Sequence, residues 1–323
     1  MKSPCLFVLV VLISSHSIVC ASFTTVLNVP PQVAPTSIDS DTQLNLSSGG
    51  SLLPFFSSGN VDGSSTNIEV NISGGTVGHH FFAYAGSTVN VSGGSMGSRF
   101  TLIGSTANIS GGSFGRDYIA GPNSVTNIFG GVVQNEIHTQ EHATINYWGG
   151  TINFFQVHNL GRANFFGSEF YLDGAPITQL NAGEEFVVTD RNVTFSGILS
   201  DGSAFDYFLT PEEPDQGGAD VDAFEPGSVL TVTLLHTADF DKDLDVDDMD
   251  LAIWNVAYGV NDSADADGDG DSDGADLLEW QRQYTGSLGS VAASVAVPEP
   301  NVVVLLLSAY SYLLFVRPPH TIY

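Results

Sequence analysis

A repeat built around single asparagines dominates the middle of this chain. Apolar or small residues flank each asparagine, and a Gly-Gly pair follows three residues later. Successive copies are 18 or 19 residues apart, at Asn71, Asn90, Asn108, Asn127, Asn146 and, in a weaker copy, Asn164. Because so regular a spacing is typical of one structural unit stacked on copies of itself, the repeat predicts a solenoid.

The repeat unit is made of strands rather than helices. Each copy has an apolar run around its asparagine, a break at Gly-Gly, and a second apolar run such as Phe154-Phe155-Gln156-Val157. These runs are too short for helices and lie between Gly, Ser and Asn residues. A unit of this length accommodates two or three short strands, which predicts an all-β fold, a parallel β-solenoid rising ~4.8 Å per turn.

The glycines and asparagines have structural roles in such a fold. Glycine adopts the positive φ angles that tight bends require. Stacked asparagine amides can hydrogen-bond to one another along the solenoid axis. Asn71, Asn90 and Asn108 also form glycosylation sequons, but Asn127 and Asn146 keep the period without a sequon. The persistence of asparagine favours the structural role.

The N-terminal part of the chain predicts a secreted protein. Residues 1–21 have the pattern of a signal peptide, with Lys2, an apolar run over 6–13 and small residues before the cleavage site. That apolar run is too short to span a membrane. Both cysteines, Cys5 and Cys20, lie in this leader, so we expect no thiol or disulfide in the mature protein.

Three further features set the limits of the solenoid. Residues 22–43 are polar and proline-containing and are interpreted as a lead-in. Residues 44–235 are interpreted as the solenoid with a C-terminal β cap, because the chain stays strand-like after Gly167 but loses the period. The net charge of −28, with only 8 Lys and Arg, argues against a nucleic-acid partner, since phosphate needs a basic surface.

A second repeat, with an offset of 26 residues, follows from His236 onward. It contains 15 of the chain's 36 acidic residues. Nine positions recur at this offset: six aspartates, followed by Leu, Trp and Tyr. The aspartates define two twelve-residue loops, Asp239–Asp250 and Asp265–Asp276, each followed by a short amphipathic helical pattern.

This arrangement of oxygen donors is typical of calcium loops. Carboxylates at positions 1, 3, 5 and 12, with a backbone carbonyl at position 7 and a water-linked group at position 9, surround a hard cation with oxygen. Each loop has a net charge of −6. Two Ca²⁺ ions would change the total from −12 to −8, and without ions we expect repulsion to keep the module open.

The paired loops, over residues 236–286, resemble type I dockerin modules. The resemblance implies a set of Ca²⁺ ligands: Asp239, Asp241, Asp243, Asp250, Asp265, Asp267, Asp269 and Asp276, with backbone oxygens of Asp245 and Asp271. Leu244 departs from the glycine expected at position 6, and Ser272 from the apolar residue usual at position 8. Dockerins bind cohesins, which implies a cohesin-like partner; related modules also occur as calcium-stabilised units alone, the role we favour.

The C-terminal part of the chain resembles a PEP-CTERM sorting signal. Residues 287–296 form a small-residue linker, and residues 297–323 contain Pro298-Glu299-Pro300, an apolar segment and Arg317. The resemblance implies membrane contact through that segment and processing by an exosortase-type enzyme, in a Gram-negative bacterium that makes extracellular polysaccharide. A plain membrane anchor is the alternative.

Enzymes also use parallel β-helices, so candidate catalytic residues were sought in the repeat. The polar candidates are few: Arg99, Arg116, Asp117, Glu136, His138, Glu141, His142 and His158. His138 and His158 occupy nearly the same phase of successive turns, near Glu136, which predicts either a metal or catalytic site or an exposed ladder of polar side chains. The Gly-Gly pairs are turn residues and form no phosphate loop.

Together these patterns predict a secreted, cell-surface or matrix protein with a structural or adhesive role and no catalysis. The alternative is a polysaccharide-binding or polysaccharide-degrading component, a lyase or glycoside hydrolase. Its solenoid groove would hold extracellular polysaccharide while the dockerin-like module docks a partner.

Overall fold

The computed structural model describes residues 23–158, 160–210, 221–243 and 245–285. The predicted signal peptide (1–21), the linker (287–296) and the sorting signal (297–323) lie outside the described residues. The chain divides into two compact units between His236 and Thr237. None of the helices in the described ranges is both long enough and apolar enough to cross a membrane.

Short strands form the first unit, and most of them pair in parallel. The strands up to the third asparagine repeat are β1 (Thr25–Val29), β2 (Ser37–Ile38), β3 (Thr42–Leu46), β4 (Ser51–Leu52), β5 (Ser57–Ser58), β6 (Ile68–Val77), β7 (Phe81–Ala83), β8 (Ser87–Met96), β9 (Phe100–Leu102) and β10 (Thr106–Phe114). The remaining strands are β11 (Tyr118–Ala120), β12 (Val125–Thr139), β13 (Thr144–Tyr147), β14 (Thr151–Val157), β15 (Arg162–Leu172), β16 (Ala175–Pro176), β17 (Glu185–Val187), β18 (Thr194–Leu199), β19 (Ala204–Phe208), β20 (Ala223–Phe224) and β21 (Val229–Leu234).

Three columns of parallel strands build the solenoid. The first column, which contains the asparagines, is β1–β3–β6–β8–β10–β12–β13–β15–β21. The second is β4–β6–β8–β10–β12–β14. The third is β2–β5–β7–β9–β11–β12–β14–β20. Each turn therefore contributes short strands to successive columns, and the predicted parallel β-solenoid is confirmed.

The predicted column of asparagines is also confirmed, and it is longer than the sequence repeat. Each amide Nδ2 donates to the Oδ1 of the asparagine one turn earlier, over 2.7–3.0 Å, through Asn28, Asn45, Asn71, Asn90, Asn108, Asn127, Asn146 and Asn164. The first member lies on β1, within the segment interpreted as a lead-in, and β1 pairs in register with β3. Asn28 is followed by Val-Pro-Pro instead of Gly-Gly, so the repeat is not visible there.

The solenoid core consists of the residues on either side of each asparagine. In β6, for example, Val70 and Ile72 are fully buried while Asn71 is half-buried on the outer surface. Aromatic rings stack from turn to turn inside the core, with Phe81, Phe100 and Tyr118 at centroid distances of 4.4 and 5.6 Å. Each such fully buried side chain contributes about 1.5–3 kcal/mol.

Antiparallel strands cover the C-terminal end of the solenoid. β15 pairs antiparallel with β18, β18 with β19, and β17 with β21. Phe195 and Phe205 from these strands pack on Phe165 of the last asparagine repeat, at 5.0 and 5.1 Å. The change from parallel to antiparallel pairing ends the stack, as expected of a β cap.

Glycines at the bend between the first and second columns have two reasons to lack a side chain. Gly75 has φ +77°, a conformation that other residues avoid. A Cβ on Gly75 would also lie 2.6 Å from the backbone oxygen of Gly50 in the preceding turn. Gly174 has nearly the same φ, +75°, but open space around its Cβ position.

We expect Gly75→Ala to destabilise the solenoid more than Gly174→Ala does. Both variants carry the strain of a positive φ, about 1–2 kcal/mol. Only Gly75→Ala also forces two turns apart, which adds about 1–3 kcal/mol. Chemical unfolding monitored by far-UV circular dichroism measures both variants. Equal losses would show that the turns do not press on each other at this bend.

Three tyrosines inside the solenoid and its cap are buried with their hydroxyls bonded. Tyr118 Oη lies 3.1 Å from Thr126 Oγ1, Tyr147 Oη donates to Gly150 O at 2.9 Å, and Tyr207 Oη donates to Ile152 O at 3.0 Å. Burial raises the pKa of Tyr147 to about 12, and burial likewise raises the pKa of Tyr118 and of Tyr207.

These raised pKa values predict a loss of stability at alkaline pH. The folded state keeps protons that the unfolded state releases near pH ~10. The stabilisation is therefore complete below pH ~10 and decreases as the pH rises toward 12, by about 1.4 kcal/mol per pH unit for each tyrosine. Guanidinium unfolding at pH 9, 10 and 11 measures the slope, and Tyr118→Phe should reduce it. An unchanged slope in that variant would contradict the prediction.

Candidate functional site

The second unit contains the two acidic loops and two short helices. Helix α1 is Asp248–Ala257 and helix α2 is Gly274–Gln283. Their N-caps are Asp247 and Asp273, which are position 9 of each loop, and both form a capping box with the position-12 aspartate. An acidic side chain at a helix N-terminus accepts free backbone N–H groups and interacts favourably with the helix dipole. The loop sequence therefore also starts the helix.

The position-12 aspartates, Asp250 and Asp276, close their loops from within. Both are fully buried. Asp250 Oδ1 accepts from the backbone N–H groups of Phe240 and Asp241, at 2.6 and 3.1 Å. Asp276 Oδ1 accepts from the corresponding groups of loop two, Ala266 and Asp267, at 2.7 and 3.2 Å. The end of each loop is thus joined to its beginning.

The two loop–helix segments pack against each other reciprocally. Trp254 Nε1 donates to Asp273 O and Trp280 Nε1 donates to Asp247 O, both at 2.9 Å. Gly259 N donates to Ser272 O at 2.8 Å, and Thr285 N donates to Val246 O at 2.9 Å. Each pair of contacts is related by the offset of 26 residues. The sequence repeat is therefore a pseudo-symmetric pair in the structure.

Carboxylates of both loops lie close enough together to hold metal ions. Four groups of three side chains each offer one oxygen within 4.8 Å of the others: Asp239, Asp241 and Asp250; Asp245, Asp247 and Asp250; Asp265, Asp267 and Asp269; and Asp271, Asp273 and Asp276. The structure thus brings together nine of the ten predicted ligand residues, of which Asp245 and Asp271 were expected to contribute backbone oxygens. It adds Asp247 and Asp273, which the predicted ligand set omitted.

One predicted ligand, Asp243, lies in none of these groups of described residues. Its backbone N–H donates to Asp239 Oδ1 at 3.1 Å, and its carboxylate accepts from Asp245 N at 3.2 Å. Leu244, which replaces glycine at position 6 of loop one, is outside the described residues. At the same place in loop two, Gly270 has φ +97° and donates its N–H to Asp265 Oδ2 at 2.9 Å.

Crowding changes the acidity of several loop carboxyls. Burial, followed by nearby carboxylates, raises the pKa of Asp241. Burial also raises the pKa of Asp267, and the neighbouring charge of Asp269 is the main cause of the raised pKa of Asp271. A bound cation would remove this repulsion. A donor set made only of oxygens fits a hard divalent cation.

A groove runs along the outer surface of the asparagine column. It is lined by the amides of Asn71, Asn90 and Asn108 and by the serines two residues after each of them, Ser73, Ser92 and Ser110, and it ends at Phe129. Its volume is about 200 Å³. Each amide uses one N–H and one lone pair in the ladder, so a second N–H and a second lone pair remain for a ligand.

An aromatic stack continues the line of serines below the groove. Phe129, with 48% of its surface exposed, stacks on Trp148 at 6.0 Å. Trp148 stacks on Phe166 at 3.8 Å with the rings nearly parallel. The position two residues after the asparagine therefore changes from serine to aromatic along the solenoid.

The polar candidates of the repeat fall into separate places on the third column. His138 and His158 do stack, with ring centroids 5.8 Å apart, and His138 Nε2 lies 3.3 Å from Glu136 Oε1. Arg99 and Arg116 both contact Asp117. Glu141 and His142 form an exposed pair, at 3.7 Å, away from this cluster.

Comparisons with protein-family models, with curated proteins and with solved structures find no match to this chain. The dockerin and PEP-CTERM resemblances therefore rest on the sequence patterns themselves. For the first of them, the paired loop–helix geometry of the second unit adds structural detail.

Proposed function

We propose that this protein is a secreted surface or matrix component of a Gram-negative bacterium. Its role is structural or adhesive, without catalysis. In this proposal the stacked solenoid is a rigid element, and the second unit is a dockerin-like module that folds around two Ca²⁺ ions. The C-terminal segment directs the protein through the membrane to an exosortase-type enzyme.

The arrangement of the two acidic loops carries the proposal. Each loop directs carboxylates toward a common centre, and the two halves repeat the same contacts at the same offset. The apolar core of this unit is very small, with Ala238, Val246 and Ala266 buried and Phe240 and Trp280 packed against them. So small a core leaves much of the stability to the metal, because binding free energy then becomes folding free energy.

We expect calcium removal to unfold the second unit and leave the solenoid folded. Calorimetry of the full chain should show two transitions in millimolar Ca²⁺, and chelator should abolish or lower only one of them, because its carboxylates then repel each other. A module with the same transition in Ca²⁺ and in chelator would contradict the calcium assignment.

Paired variants make this experiment specific to the loops. Asp267→Asn removes one exposed, crowded carboxylate, whereas Asp262→Asn removes an exposed carboxylate outside the loops. Asp267→Asn should weaken Ca²⁺ binding about tenfold or more, since ligand charge sets affinity. In chelator, the same variant should leave the module unchanged or slightly more stable, because repulsion is reduced. Asp262→Asn should do neither.

The groove supports a second candidate function, the binding of extracellular polysaccharide. Sugar rings present C–H groups that pack on aromatic faces and hydroxyls that bond to amides. Phe129 and the adjacent row of asparagines and serines offer both kinds of contact in one groove. In this function the solenoid holds the glycan and a cohesin-like partner binds the module.

Phe129→Ala should weaken glycan binding, and Phe208→Ala is its matched control. Both phenylalanines have 48% of their surface exposed, but only Phe129 lies at the groove. Affinity electrophoresis on acidic and neutral polysaccharides should show at least about a fivefold loss for Phe129→Ala, equivalent to about 1 kcal/mol of stacking. Equal retention of both variants would argue against the groove. Depolymerisation of any glycan would overturn the non-catalytic proposal.

A further inference from the structure

A line of hydrogen bonds connects Glu225 to two stacked histidines on the outer surface of the third column. Glu225 Oε1 lies 2.8 Å from His158 Nδ1, and His158 Nε2 lies 3.5 Å from His138 Nδ1. A carboxylate only accepts, so His158 Nδ1 donates to it and the Nε2 of the neutral ring is an acceptor. His138 Nδ1 then donates to His158, which leaves a lone pair on His138 Nε2.

That lone pair faces two carboxylates. His138 Nε2 lies 3.3 Å from Glu136 Oε1. Asp117, Glu136 and His138 each offer a ligand atom, and these three atoms lie within 4.8 Å of one another. Glu136 is only 5% exposed, so water screens this cluster weakly. Acceptors that face one another in this way repel unless a cation lies between them.

The surroundings of the cluster orient its members without closing it. Gln156 Nε2 donates to Glu136 Oε2 at 3.2 Å, and the buried Gln156 Oε1 has no hydrogen-bond partner among the described residues. Arg99 and Arg116 contact Asp117 at 3.5 and 3.2 Å, but both arginine side chains are more than half exposed. Exposed ion pairs contribute little, so both arginines can move into water when an ion binds Asp117.

We propose that Asp117, Glu136 and His138 bind a divalent transition-metal ion, with His158 and Glu225 as positioning residues. One imidazole and two carboxylates suit ions such as Zn²⁺ and Co²⁺, whereas the all-oxygen acidic loops suit Ca²⁺. A metal-bound histidine ordinarily donates its other N–H to a fixed acceptor, as His138 does here. Asp117 precedes β11 and Glu136 lies on β12, the next strand of the column, so the ion would join two successive turns.

A Co²⁺ titration of the full chain tests this site. Millimolar Ca²⁺ first fills the acidic loops, and visible absorption then reports Co²⁺ bound by nitrogen and oxygen, with Zn²⁺ as competitor. We expect one ion per chain. His138→Gln and Glu136→Gln should lower the affinity at least tenfold, and His158→Gln, through the ring it orients, by about 10–100-fold.

His142→Gln is the matched control, because His142 also pairs with a glutamate but lies outside the cluster. Its affinity for Co²⁺ should equal that of the parent. The imidazole ¹⁵N resonances of the unmodified chain should show Zn²⁺ shifting His138 and leaving His142 unchanged, a readout that needs no variant to fold. The proposal is overturned if no Co²⁺ binds in excess Ca²⁺, if Ca²⁺ displaces it, or if His142→Gln weakens binding equally.

Discussion

Hydrogen bonding between successive turns is the interaction on which the first unit depends. A single turn has too few apolar side chains to form a core, so each turn is stable only between two others. Backbone pairing supplies the continuous contact, and the asparagine amides add a parallel line of side-chain bonds from Asn28 to Asn164. Side chains one turn apart are held in line by this register, and the outer surface therefore consists of regular rows.

The bends control whether that register can form. Gly75 and its equivalents place backbone against backbone between turns, at distances that exclude a side chain. The close approach also aligns the outward positions that follow the bend. As a result, the serine row, the aromatic stack and the His138–His158 pair all occupy fixed phases of the turn. The candidate binding surfaces are consequences of the same geometry that stabilises the core.

The second unit depends on a different balance. Its apolar core is small and its loops are dense in carboxylates. Reciprocal tryptophan contacts and two capping boxes organise the helices, while the raised pKa values of Asp241, Asp267 and Asp271 record the cost of bringing acidic groups together. Such a unit is well suited to stabilisation by a cation, because opposite charge relieves that cost.

The sequence by itself determined the features that repeat at a constant spacing: the parallel stack, the asparagine column, the glycine bends and the paired acidic loops. A constant period places equivalent residues on adjacent turns, so local patterns are sufficient to predict them. Only the tertiary structure decided that β1 joins the stack, since Val-Pro-Pro replaces Gly-Gly after Asn28. It also decided that Asp247 and Asp273 join the carboxylate groups, and that Asp117 and Glu225 lie beside the histidine pair. Those neighbours come from turns of unequal length or from the cap, where no period relates sequence distance to distance in space.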